Sequence, residues 1–236
     1  MKKSLKKVII FDLDDTLYKE REFVEGGFKD VAKYMEERFN IKKADFYKLL
    51  LKVLEKQGRG HVFDSCLKEH NLYSKKIVDK LVKTYRLHKP NIKLYPSVKT
   101  LLSRFEKNYK LALITDGLKY VQQRKVKALG LEKLFDLIIY TDAFGKKKSK
   151  PSPYSFNKVL KYFNISRKQA VYIGDDPNKD FIGARKIGIK TIRILQGRFK
   201  DIKAEKGFEA DYSIQGITNT KEIENILLKL IQLTAR

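Results

Sequence analysis

Val8-Ile9-Ile10-Phe11-Asp12-Leu13-Asp14-Asp15-Thr16-Leu17 is an unbroken apolar run that stops in a group of acids. Its first four residues show no apolar–polar alternation and three are β-branched. Such a run reads as a strand buried on both faces, the signature of a parallel sheet. Runs of the same kind recur at Leu111 to Ile114, Leu137 to Tyr140, Val171 to Ile173 and Thr191 to Ile194, with a shorter one near Asp211 to Ile214. Helical patterns lie between them: Val98, Leu101, Leu102 and Phe105; Leu118 to Leu129, closed by Gly130; a stretch opened by Ser152-Pro153; Pro177 to Ile187, closed by Gly188; and a last one carrying Ile223, Ile226, Leu227 and Leu230. Strands alternating with glycine-stopped helices predict an α/β fold, a doubly wound parallel sheet.

The alternation breaks between Tyr18 and Pro90. There Phe28, Val31, Met35 and Phe39 repeat at helical spacing, as do Phe46, Leu49, Leu50 and Val53, and again Ile77, Leu81 and Tyr85. The predicted organisation is therefore a core from residues 1–17 and 91–236, with an all-helical insertion over 18–90 large enough to close over something. No internal repeat, low-complexity tract or flexible linker is evident.

The 236 residues carry 52 Lys plus Arg against 28 Asp plus Glu, a formal net charge of +24. With 42% hydrophobic residues the chain is too apolar for a disordered tail. No run approaches the ~18 to 20 apolar residues of a membrane span. The basic start, Met-Lys-Lys-Ser-Leu-Lys-Lys, runs into Asp12 after four apolar residues, so it is not read as an export signal. A single cysteine, Cys66, excludes an internal disulfide and fits a reducing cytoplasm. The charge makes nucleic acid the first partner to weigh. Against it, there are 41 Lys to 11 Arg, whereas base and phosphate recognition favours Arg, and the lysines are spread along the chain. A Lys-rich surface that steers small anions is the preferred reading.

Ligands of an open parallel sheet bind beyond the carboxyl ends of its strands. After the first strand come Asp12, Asp14 and Asp15; after the second, Thr115-Asp116-Gly117; after the run ending at Ile173, Gly174-Asp175-Asp176-Pro177, with Asp180 one helical turn on. Lys150-Pro151 stands ahead of another helix. If Asp12, Asp14 and Asp175 share a cleft, their mutual repulsion calls for a cation, and hard oxygen ligands with room for phosphate oxygens suit Mg2+.

At these residues the chain resembles the haloacid dehalogenase (HAD) superfamily of phosphohydrolases. Its motifs stand in order: D-x-D-x-T as Asp12 to Thr16, the Thr after the second strand as Thr115, the Lys as Lys150, and G-D-x-x-x-x-D as Gly174 to Asp180. The helical insertion after the first motif is similar to that superfamily's helical cap.

The resemblance implies Asp12 as nucleophile through an aspartyl-phosphate, and Asp14 as general acid and then base. It implies Thr115 and the amides of Asp116 and Gly117 as phosphoryl binders, and Lys150 as the balancing charge. Mg2+ would be held by Asp12, the Asp14 carbonyl and Asp175, with Asp176 and Asp180 supporting them. Plainer readings stand beside these. Asp15 and Thr16 can serve a turn, Asp176 a helix cap and Asp180 the helix dipole, while Lys146, Lys147 and Lys148 form a solvated run.

Within the superfamily, true dehalogenases lack an acid at position 14 and phosphonate hydrolases have a small residue there, so Asp14 argues against both. The expected activity is a magnesium-dependent phosphatase of a small phosphorylated metabolite, with a sugar-phosphate mutase as the alternative. Substrate choice is expected in the cap, where Arg59 and His61 are candidate contacts on the loop Gln57 to Phe63, unless Gly58 simply ends a helix and Arg59 is a surface residue. Glu20, Arg21 and Lys119 are further rim candidates. A nucleic-acid-binding protein on this fold is the alternative of another class. The oligomeric state stays open.

Overall fold

The computed structural model describes residues 7–232. From β1 (Val8–Phe11) the chain enters four helices, α1 (Glu20–Phe39), α2 (Lys43–Gln57), α3 (Val62–Glu69) and α4 (Lys75–Leu87). It returns through α5 (Val98–Phe105) to β2 (Lys110–Thr115), α6 (Lys119–Ala128) and β3 (Leu137–Tyr140). Then follow α7 (Tyr154–Phe163), β4 (Ala170–Gly174), α8 (Asp180–Lys186), β5 (Lys190–Ile194), β6 (Tyr212–Ile214) and α9 (Thr220–Gln232). Two compact units result, one joining the residues up to Glu20 with those from Ile92 on, the other spanning Arg21–Asn91.

In the first unit all strand pairs are parallel, in the order β3-β2-β1-β4-β5-β6. Central β1 pairs Val8 with both Lys110 and Ala170, and Phe11 with both Leu113 and Ile173. That central position explains why β1 reads as apolar without alternation: both its faces are covered. Val8 and Ile10 join Phe156 and Val159 of α7 and Phe181 and Ala184 of α8 in one apolar cluster. Ile9 points the other way, as the strand period of two requires, and lies with Val171 beside Leu227 and Leu230 of α9. The strand order reverses between β1 and β4, and that is where an open parallel sheet splays to accept a ligand.

Two expectations need correction. β3 is an edge strand, so Leu137, Ile138 and Tyr140 are only half-buried. Helix α8 starts at Asp180 and not at Pro177: the Asp176 carbonyl accepts from Lys179 N (3.3 Å) and Asp180 N (3.0 Å) in a single turn over Pro177 and Asn178, and Lys179, at φ −140°, lies outside the helical range and separates that turn from the helix.

α8 lies tight against the segment after Lys150. A Cβ on Gly183 would stand 2.2 Å from the Pro151 carbonyl oxygen, so only glycine allows this approach. Gly183→Ala is expected to cost about 1–3 kcal/mol by overpacking against backbone. Urea melts measure it, and an unchanged midpoint would mean that the 150–152 segment gives way freely.

The second unit has its own core. Phe28, Val31 and Met35 of α1, Phe46 and Leu50 of α2, Cys66 and Leu67 of α3, and Leu81 of α4 are all buried. Burial pushes the Cys66 thiol up to about 12, which leaves it a packing residue. Helix α3 has four apolar residues, Val62, Phe63, Cys66 and Leu67, but its eight residues are too short for a helical period to stand out in the sequence. Gly58 ends α2, its N–H bonded to the Leu54 carbonyl at 2.9 Å. Among the described residues no helix is long and apolar enough to cross a membrane.

Candidate active site

β1 and β4 lie side by side and end together, and the Asp12 N–H donates to the Ile173 carbonyl at 2.9 Å. This register brings the acids that follow the two strands into one place. Asp12, Asp175 and Asp180 are buried and each offers a carboxylate oxygen, the three lying within 4.8 Å of one another.

One cation answers part of that charge. Lys150 Nζ donates to Asp12 Oδ1 at 2.5 Å, to Asp180 Oδ1 at 2.7 Å and to the Tyr172 hydroxyl at 3.0 Å. Tyr172 in turn donates to Asp180 Oδ1 at 3.0 Å. The other Asp180 oxygen accepts the backbone N–H groups of Asp175 (3.2 Å) and Asp176 (3.0 Å). Gly174 makes room for it, since a Cβ there would meet Asp180 Oδ2 at 2.5 Å. Asp180 is therefore a brace between Lys150 and the end of β4, beyond what a first-turn acid on the helix dipole would be.

Burial raises the Asp12 carboxyl from 3.8 to about 7, against the pull of Lys150. Burial, with Asp180 and Asp12 nearby, raises Asp175 well above the carboxylate range. Asp180 stays below its ordinary value despite burial, because Lys150 and Lys179 outweigh it. Burial would lower the Lys150 ammonium, yet Asp12 and Asp180 raise it well above its usual value. Two of three acids thus lack sufficient countercharge, and a buried all-oxygen cluster with surplus negative charge suits a hard divalent cation.

Asp14 stands two residues on, with its carboxylate held by Tyr18 OH (2.5 Å), Lys125 Nζ (2.7 Å) and Gln122 Nε2 (2.8 Å). Burial would raise it, but Lys125 and these donors bring it below the ordinary value. Gln122 also donates to Thr115 Oγ1 at 2.5 Å, at the end of β2. Asp116 accepts the Thr141 hydroxyl (2.5 Å) and the Lys150 N–H (3.3 Å), and Gly117 follows with φ +110°.

The remaining candidates divide. Thr16 donates to Asp175 Oδ1 at 3.2 Å, which ties the first strand end to the fourth. Asp15 has φ 54° and accepts the N–H groups of Glu20 (2.9 Å) and Arg198 (3.2 Å), a turn and capping role. Asp176 Oδ1 accepts from Asn178 N at 3.0 Å, so it closes the turn and does not cap α8, whose flanking residue is Lys179. Lys146, Lys147 and Lys148 are exposed. Arg59 and His61 belong to the helical unit, where both are exposed between α2 and α3. Of the rim candidates, Arg21 pairs with Glu25 (2.8 Å) and Glu55 (3.2 Å) within that unit, Glu20 stands 3.7 Å from Lys125, and the Lys119 N–H donates to Asp142 (3.0 Å).

Gln122, Lys125, Tyr18 and Tyr172 were not singled out from the sequence. A signal existed for two of them: Gln122 and Lys125 sit three apart between Val121 and Val126, polar residues on the buried face of α6.

The acids grouped at the reversal point of the parallel sheet offer a buried set of hard oxygen ligands. Residues 9–194 match the haloacid dehalogenase-like hydrolases, and the chain belongs to that family as a phosphoric monoester hydrolase. Its relatives include a protein of Methanocaldococcus jannaschii named glyceraldehyde 3-phosphate phosphatase, 34% identical over 231 residues, covering 94% of this chain and 99% of that one. Among solved structures, a HAD phosphatase from Thermococcus onnurineus is 25% identical with TM-score 0.62, over 94% of this chain and 97% of the other. A HAD hydrolase from Bacillus subtilis bound to magnesium shares the fold at TM-score 0.67 and 20% identity, over 94% and 99% of the two chains.

Proposed function

We propose that the chain is a magnesium-dependent phosphatase of a small phosphorylated metabolite, with glyceraldehyde 3-phosphate as the substrate to test first, and that it works through an aspartyl-phosphate on Asp12. The observation that carries this is the buried Asp12 carboxylate, held by Lys150 at 2.5 Å beside Asp175 and Asp180. The name and near full-length match of the M. jannaschii relative support the substrate.

Asp12 and Asp175, with the Asp14 carbonyl, would hold the Mg2+ ion, which supplies charge neutralisation between carboxylates and phosphoryl oxygens. Asp180 and Asp176 brace that shell from behind. In the first step an Asp12 oxygen forms a bond to phosphorus and the ester P–O bond breaks. The bonding pair leaves with the ester oxygen, which takes its proton from Asp14. Lys150, Thr115 and the amides of Asp116 and Gly117 hold the phosphoryl oxygens. In the second step water attacks that phosphorus and gives a proton to Asp14, and Asp12 leaves as carboxylate. The helical unit, with Arg59 and His61, is proposed as a cap that excludes water and selects the leaving group. A cytoplasmic location is part of the proposal, with a small phosphorylated metabolite, not nucleic acid, as the main partner.

Phosphate release from glyceraldehyde 3-phosphate, phosphoglycolate, glycerol 3-phosphate and β-glucose 1-phosphate, with magnesium or a chelator, tests the proposal. Metal-dependent release with the triose phosphate preferred supports it; isomerised sugar phosphate without release would replace it by the mutase.

A second result follows from the Asp12 shift. The unfolded carboxyl has its ordinary value near 3.8, and the folded one about 7. The folded state thus binds the extra proton, so this contribution to stability is present at acid pH and lost as pH rises through about 7. A cation that replaces the proton reverses the loss. Magnesium should therefore raise the melting temperature by several degrees at pH 8 and very little at pH 5. Scanning fluorimetry reads this directly, and a shift equal at both pH values would contradict it.

A further inference from the structure

We propose that Lys125, together with Gln122 and Tyr18, is a positioning clamp that aims the Asp14 carboxyl at the leaving-group oxygen. This rests on the reading of Asp14 as general acid given above.

The clamp is built from two stretches of the first unit. Tyr18 lies four residues beyond Asp14, with its backbone bridged both to Asp14 and to Leu94. Gln122 and Lys125 come from the inner face of α6, more than a hundred residues away in sequence. All three side chains are buried, Tyr18 fully and the Lys125 side chain to 4% exposure. An ammonium is costly to bury unless paired, and a leucine would fill the same space on α6 without that cost. The lysine is therefore explained by what its head group meets: Asp14 Oδ1 at 2.7 Å, with Glu20 at 3.7 Å on its other side.

The donors leave little freedom. An ionised carboxylate offers about four acceptor directions. Lys125 and Tyr18 take Oδ1, and Gln122 takes one direction on Oδ2. About one direction remains, on Oδ2, where the acid form carries the proton for the leaving oxygen and the ionised form accepts one from the attacking water. The two hydrogens of the Gln122 amide nitrogen reach Asp14 and Thr115 Oγ1, at 2.8 and 2.5 Å. One side chain thus ties the acid to the proposed phosphoryl-binding threonine and fixes their spacing. None of the three touches the reacting atoms in this assignment, so they act through Asp14.

The test uses the chemistry of the leaving group. An alkoxide cannot depart without a proton, whereas p-nitrophenolate can. The ratio kcat/KM reports the steps up to leaving-group departure. Lys125→Met in the full chain, at saturating magnesium, is expected to lower kcat/KM by about 10²-fold or more on glycerol 3-phosphate, within the range of general acid catalysis. On p-nitrophenyl phosphate the expected loss is under about fivefold, because there the proton contributes little. Tyr18→Phe keeps the buried ring, deletes one donor, and should show the same bias more weakly; it carries the test if Lys125→Met does not fold. Lys125→Arg, which restores a charged donor, should recover most of the alkyl-phosphate rate.

Equal losses on both esters would overturn the clamp and leave Lys125 a packing residue. Asp14→Asn in parallel separates the two levels. If that variant shows no leaving-group bias, the reading of Asp14 itself falls; if it does and the Lys125 and Tyr18 variants do not, the clamp alone falls.

Discussion

Asp12→Asn is expected to abolish turnover, by about 10⁴-fold or more, while leaving the protein folded. An amide oxygen is a poor nucleophile towards phosphorus and cannot form the acyl phosphate, so the two-step route closes. Stability should not suffer. The Asp12 carboxyl is strained by burial, with its value pushed to about 7, so replacing it by a neutral isostere relieves desolvation. Lys150 keeps Asp180 at 2.7 Å and the Tyr172 hydroxyl at 3.0 Å, so its ammonium is not stranded. The melting temperature without metal should equal or exceed that of the wild type. The magnesium-induced rise at pH 8 should shrink, because one carboxylate of the cluster is gone. Single-turnover phosphate release and thermal melts measure both effects. Mass spectrometry of acid-quenched wild type should find the phosphoryl group on Asp12. Turnover within tenfold of wild type would end the nucleophile assignment.

Lys150→Met is expected to damage stability as well as activity. Lys150 is the cation that meets both Asp12 and Asp180, and its side chain is fully buried between them. Removing it strands two carboxylates in a site already short of positive charge. Breaking a buried pair in this way costs about 3–5 kcal/mol, which for a chain of this size is a melting shift of about 6–20 °C. The phosphoryl oxygens also lose a donor, for a further loss of about 10²-fold or more in rate. The discriminating variant is the double one. Adding Asp180→Asn to Lys150→Met removes one of the stranded charges and should recover part of the stability. Melts of wild type, both single variants and the double variant in chelator give the coupling, and simple additivity would contradict the charge account.

Most of the fold was legible because the evidence for it is local. The runs at Val8, Leu111, Val171 and Thr191 are apolar without alternation, and each forms a strand within one or two residues of its expected ends. Where the reading slipped, burial and turns were responsible. β3 has the same apolar look as β4, yet it has a neighbour on one side only. Pro177 is a good first residue of a helix, but Lys179 leaves the helical range after one turn and delays α8 by three residues. Helix α3 is short and carries Cys66 and Leu67 into the helical unit's core without a long periodic pattern.

By itself the sequence determined the parallel α/β class, the helical interruption and the ends of the strands at which acids fall, because periodicity and strand ends are properties of neighbouring residues. The tertiary structure alone decided the partners of those acids. It decided that Asp180 braces Lys150 and the end of β4, that Asp15 serves a turn, that Tyr172 places a hydroxyl between Lys150 and Asp180, and that Lys125 reaches Asp14 across 111 residues of chain. A buried charge is satisfied by whatever group packing brings within about 3 Å, and that distance is set by how helices lie on the sheet, which no local pattern records.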